Sequence, residues 1–129
     1  MKLLLDTHIW LWSLHDTKRL GKRVSHELKN PENELWLSPI STWEALLLNA
    51  KGRISLPKDI VAWVATATGP LREAPLTHEI ALASRLLKLP HNDPADRFLA
   101  ATAQLLRLTL VTGDTRLLGL GDISTLSNL

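Results

Sequence analysis

The 129-residue chain contains no cysteine. Disulfides, zinc–thiolate centres and thiol catalysis are thereby excluded, and a reducing compartment, the cytoplasm, is the expected home. Tyrosine is also absent, and one phenylalanine stands against five tryptophans. With neither Cys nor Tyr, almost nothing titrates between His and Lys. The pI of 9.2 therefore reflects a net charge of only +2 and is weak evidence for a polyanionic partner. Long apolar runs are missing too. Leu3–Leu5 is followed at once by Asp6, too short for a signal peptide or a membrane span. No repeat or low-complexity tract interrupts the chain. What is present is an ordinary globular composition, 45% hydrophobic and 22% charged, at a length suited to one domain over residues 1–129.

Strand-like apolar runs alternate with helical patterns. Lys2–Leu5, Glu34–Leu37, Leu71–Ala74, Thr109–Thr112 and Ile123–Leu126 read as strands. Helices are expected from about His8 to Leu14, Lys22 to Lys29, Ser38-Pro39 to Ala50, Pro57 to Thr66, Thr77 to Lys88 and Asp93-Pro94 to Arg107. A helical turn is expected over Thr115–Leu118. Asn30-Pro31, Lys51-Gly52, Gly69-Pro70 and Pro90 supply the stops. The alternation predicts an α/β domain, a parallel sheet of four to five strands flanked by helices. Ligands of such open sheets gather at the carboxyl ends of the strands.

Four acids fall near those ends. Asp6 directly follows the first strand, and Asp114 follows Thr109–Thr112 by two residues. Asp96 lies in the first turn of its helix, and Glu44 within the helix after the second strand. Singly, each has a structural explanation: a cap for Asp6 and Asp114, a favourable helix-dipole position for Asp96. Glu44 would close a capping box with Ser41 if the helix began there. Ser38 with Pro39 behind it is the better start, and it leaves Glu44 inside the helix beside a face of Ile40, Trp43 and Leu47. Asp93, before Pro94, reads as a cap. Together the acids would repel one another unless a cation offsets them. Oxygen donors without thiolates favour Mg²⁺, with Mn²⁺ as an alternative, and such a cluster suits phosphodiester hydrolysis.

Asp6-Thr7-His8 after a strand, Ser38-Pro39-Ile40-Ser41-Thr42-Trp43-Glu44, Asp93-Pro94-Ala95-Asp96-Arg97 and Leu110-Val111-Thr112-Gly113-Asp114 resemble the successive motifs of PIN domains. The resemblance is to the VapC-type toxins of type II toxin–antitoxin systems and covers essentially the whole chain. It implies a single Rossmann-like PIN domain with an acidic, metal-binding cleft and endoribonuclease activity. It also implies a homodimer inhibited by a cognate antitoxin. The family's acidic positions fall on Asp6, Glu44, Asp96 and Asp114. Thr112 would hydrogen-bond near the metal, and Ser41 would be a polar neighbour of the site.

The expected chemistry is in-line attack of water, with Asp6, Asp96 and Asp114 holding the metal and Glu44 binding it or orienting the water. Arg97 is a candidate for substrate phosphate, with an ion pair to Asp93 or Asp96 as the structural alternative. The cationic stretch Lys18, Arg19, Lys22, Arg23 and Lys29, and the pair Lys51 and Arg53, could contact phosphate or form solvated faces. His8 and His91 lie near motif acids but are expected in packing or capping. Trp10 and Trp12 are expected at a partner surface, and Trp36, Trp43 and Trp63 in the core. A receiver domain fits poorly, since Asp6 is a single acid and no Lys lies beyond Lys88. An Asp-x-Asp phosphatase fails because His8 takes the second position. A non-catalytic RNA- or protein-binding module and a DNA-active nuclease are the remaining alternatives.

Overall fold

The computed structural model describes residues 1–90 and 92–129. His91, one of the two histidines singled out above, lies outside the described residues. Five strands, β1 (Lys2–Leu5), β2 (Glu34–Leu37), β3 (Arg72–Glu73), β4 (Thr109–Thr112) and β5 (Thr125–Ser127), form one sheet in the order β3-β2-β1-β4-β5. Every pairing is parallel. The helices are α1 (Thr7–His15), α2 (Lys22–Lys29), α3 (Pro39–Ala50), α4 (Ile60–Thr68), α5 (His78–Leu86) and α6 (Pro94–Leu106), with a short 3₁₀ turn at Thr17–Arg19.

The sheet is central because β1 is apolar on both faces. Leu3 and Leu5 join one core cluster, with Trp10 of α1, Val24 of α2, Ala45 of α3 and Trp63 of α4. Leu4 points the other way, into a second cluster with Leu99, Ala100 and Ala103 of α6. A strand buried on both sides is the signature of a covered parallel sheet. The chain leaves β1 toward β2 on one side and later returns to β4 on the other. The carboxyl ends of β1 and β4 therefore form the topological switch point, where a crevice opens.

The expected starts of α3 and α6 hold for the reasons given. The Ser38 hydroxyl accepts from the N–H of Ile40 at 3.1 Å, and Asp93 Oδ1 from that of Asp96 at 3.1 Å, each with proline at the first helical position. Several boundaries differ: α5 ends at Leu86 rather than Lys88, and β3 is shorter than Leu71–Ala74, at Arg72–Glu73. Helix α4 begins at Ile60, because Asp59 caps it through Ala62 N–H at 3.1 Å, whereas Pro57 stands outside the helix. Strand β5 is displaced to Thr125–Ser127, where Leu126 pairs with Val111. Among the described residues, no helix is long and apolar enough to cross a membrane.

Candidate active site

Asp6 and Asp114 stand at the switch point. Asp6 is nearly buried at 8% exposure. Its Oδ1 accepts from Ile9 N–H at 2.8 Å, so it does cap α1. Burial pushes its carboxyl up from the ordinary range. Hydrogen bonds from the Thr112 hydroxyl and from Ile9 N–H, together with the nearby His8, pull the other way, and Asp114 adds to the rise. The ring of His8 also packs against Trp12, 5.8 Å between centroids.

Thr112 is fully buried at the last position of β4. Its hydroxyl oxygen accepts from Asp114 N–H at 3.0 Å while its proton serves Asp6. One hydroxyl thus fixes the acid after β1 against the acid after β4. Ser41 has a comparable place one layer over. It is fully buried on α3, and Thr7 donates to its hydroxyl at 3.1 Å. That contact ties the helix carrying Glu44 to the residue after Asp6.

Asp96 lies in the first turn of α6. Its pKa is raised to about 7, first by burial and then by the charges of Asp93, Asp114, Glu44 and Asp6. The four expected acids therefore share one electrostatic field. Among the described residues, no three acidic or imidazole side chains already stand in the arrangement of a finished ion site. The donor set itself, carboxylate oxygens that mutually repel, fits Mg²⁺ or Mn²⁺.

A cation that sequence reasoning missed sits among these acids. Arg116 Nε and Nη2 donate to Asp114 Oδ1 and Oδ2 at 3.1 and 2.8 Å, and its backbone N–H donates to Oδ1 at 2.9 Å. The same Nη2 lies 3.9 Å from Asp96 Oδ2. Its bonds to Asp114 hold the guanidinium yet more firmly protonated. The available signal was the Asp114-Thr115-Arg116 spacing, since an Asp that folds onto the N–H two residues on brings that residue's side chain back alongside it.

Other expectations need correction. Arg97 does not face the acids. Its buried guanidinium donates to the carbonyls of Ser84 and Leu87, both at 2.9 Å, and to Asn92 Oδ1 at 3.4 Å. Those carbonyls end α5, so Arg97 finishes that helix rather than pairing with Asp93 or Asp96. Trp10 is core, not partner surface. It is 1% exposed, and its Nε1–H donates to Ala67 O at 3.2 Å. Trp12 is half-buried under the Arg19 guanidinium, 5.7 Å from the ring centre. Trp43, expected inside, is 51% exposed, because α3 buries Ser41 and Ala45 instead. The side chains of Lys18, Arg19, Lys22, Arg23, Lys29, Lys51 and Arg53 are all exposed.

Comparison with known proteins places this geometry. The sequence profile of the PIN domain matches residues 3–122. Ribonuclease VapC22 of Mycobacterium tuberculosis (strain ATCC 25618 / H37Rv) is 31% identical over 118 residues, 89% of this chain and 88% of that one. Among solved structures, DNA-bound VapBC from Salmonella typhimurium matches with a TM-score of 0.75 at 17% identity, covering 100% of this chain and 99% of the other. FitAcB from Neisseria gonorrhoeae matches with a TM-score of 0.71 at 22% identity, covering 98% and 97%. At those identities the structures speak for the fold, and the sequence matches for the family. The chain belongs to the PIN-domain family, in its VapC-type branch.

Proposed function

We propose that this chain is a Mg²⁺-dependent endoribonuclease toxin, with tRNA or rRNA as target, held in check by a cognate antitoxin and acting as a homodimer. The observation that carries the nuclease reading is the raised Asp96. Its carboxyl is pushed to about 7 by burial and by the other acids of the cleft. A site that gathers such repulsion is built for a cation. The relative named a ribonuclease, 31% identical over 118 residues, supports the same reading. The antitoxin rests on solved neighbours described as toxin–antitoxin complexes, such as one from Klebsiella pneumoniae.

In this mechanism Asp6, Asp96 and Asp114 would hold the metal, and Glu44 would orient the attacking water or complete the site. When bound, Mg²⁺ activates water and neutralises charge on the phosphate and the leaving oxygen. The Thr112 hydroxyl pulls the Asp6 pKa down against the larger effect of burial and holds Asp6 in register with Asp114. Products carry 5′-phosphate and 3′-hydroxyl ends, since water rather than the 2′-hydroxyl attacks.

The test is cleavage of a total tRNA and rRNA pool by the purified chain, beside Asp6→Asn and with EDTA. Loss of cleavage in both controls is expected. A 2′,3′-cyclic phosphate product would refute water attack, and RNA binding that persists without any cleavage would favour a binding module.

A further inference from the structure

We propose that Arg116 is a built-in counter-ion of the acidic cleft, which a divalent cation must displace from Asp114 before the site can close around metal. This rests on the metal-dependent reading above.

The argument starts from the contact itself. Arg116 meets both oxygens of Asp114 with two side-chain nitrogens, the fork-to-fork geometry in which guanidinium binds carboxylate best. The 3.9 Å approach of the same Nη2 to Asp96 Oδ2, beside its 2.8 Å contact with Asp114 Oδ2, sets the cation between the two carboxylates. A metal held by Asp114 and Asp96 would draw on the carboxylates that Arg116 now occupies, so the two cations would compete for one place.

The bridge is also built to open. The Arg116 side chain is 55% exposed, against 25% for Asp114 and 19% for Asp96. An exposed pair of this kind holds weakly in water, whereas a divalent ion concentrates twice the charge on the carboxylates. The backbone bond from Arg116 N–H to Asp114 Oδ1 anchors the residue while the guanidinium swings away. Released, that guanidinium stays at the rim of the cleft as a positive group facing incoming phosphate.

Two measurements on the full chain test this. Calorimetric titration with Mg²⁺ compares wild type, Arg116→Gln and Asp114→Asn. Nitrogen-15 NMR follows the Arg116 Nε–H resonance of wild type through the same titration. We expect Arg116→Gln to bind Mg²⁺ about two- to fivefold more tightly, the scale on which an exposed pair can compete. The wild-type Nε–H resonance should move with metal saturation, toward the position it already holds in metal-free Asp114→Asn. Unchanged affinity in Arg116→Gln, or metal saturation without movement of that resonance, would overturn the inference and leave the metal site standing. Failure of both wild type and Arg116→Gln to bind Mg²⁺ would overturn the metal reading together with it.

Discussion

The hydroxyl of Thr112 accepts the N–H of Asp114 at 3.0 Å and donates to the carboxylate of Asp6. Two acids 108 positions apart in sequence are thereby set against each other by one buried side chain. Thr112→Val keeps the shape and removes the hydroxyl. It leaves a buried carboxylate and a backbone N–H each short of a partner, at a cost of about 1–3 kcal/mol in chemical denaturation. Asp6, without that donor, is harder to ionise. We expect Mg²⁺-dependent cleavage to fall by about 10–100-fold, the usual scale for groups that orient metal ligands. The pH at which metal binding reaches half its limit should move upward. Wild-type cleavage in a stably folded Thr112→Val would contradict this.

Arg97 supplies the opposite case, a charged residue in a site motif whose work is structural. Its guanidinium holds the Ser84 and Leu87 carbonyls at the end of α5. Arg97→Met should cost about 2–3 kcal/mol, since buried acceptors lose a charged donor, and lower Tm by on the order of 10 °C. RNA affinity of the folded fraction should stay at the wild-type value. A variant with unchanged Tm but weakened RNA binding would return Arg97 to the substrate.

The difference between these two residues shows what is legible in the sequence. Asp6, Asp96 and Asp114 could be found because strand ends and helix starts have local signals, and the parallel order then brings them to one edge. Helices α2 and α3 and strands β1, β2 and β4 lie where caps, prolines and apolar runs put them. The destination of a long side chain has no such signal. Arg97 and Arg116 each neighbour an acid or follow one closely, yet only the packing of α5 against α6 sends Arg97 inward. The tryptophans fail for a related reason. Ile9-Trp10-Leu11-Trp12 is apolar at four consecutive positions, so no polar stripe marks which face is buried. On α3 the small residues Ser41 and Ala45 take the core side, because Thr7 and its helix approach closely there.

The tryptophan placements carry their own prediction. Trp10→Phe removes the bond to Ala67 O and part of the ring packed on Trp63, 5.4 Å between centroids. A loss of about 2 kcal/mol is expected. Trp43→Ala removes a largely exposed ring and should change stability by no more than about 0.5 kcal/mol. Urea denaturation of both variants decides it. A Trp43→Ala variant as destabilised as Trp10→Phe would mean that α3 turns Trp43, not Ser41 and Ala45, toward the core.

The acid cluster predicts how stability follows pH. The folded pKa of Asp96, about 7, lies above its ordinary 3.8. Between those values the folded chain holds a proton that the unfolded chain has released. Without metal, stability therefore falls as pH rises through this window and levels off above about 7. Asp6 is raised too, and acts in the same direction. For a carboxyl that keeps some solvent contact, the change is on the order of 1–3 kcal/mol. Asp96→Asn should flatten most of the slope and raise Tm at pH 8 in EDTA. Metal reverses the trend, because it binds the ionised carboxylates of the folded chain alone and adds stability by mass action. Millimolar Mg²⁺ should accordingly raise Tm more at pH 8 than at pH 6 in wild type, and far less at either pH in Asp96→Asn. Thermal melts at the two pH values, with EDTA or Mg²⁺, check both halves. A Tm in EDTA that does not fall from pH 5 to 8 would mean that the repulsion among these acids is already relieved in the metal-free chain. A Mg²⁺ increment equal at both pH values, and retained in Asp96→Asn, would put the ion somewhere other than this cleft.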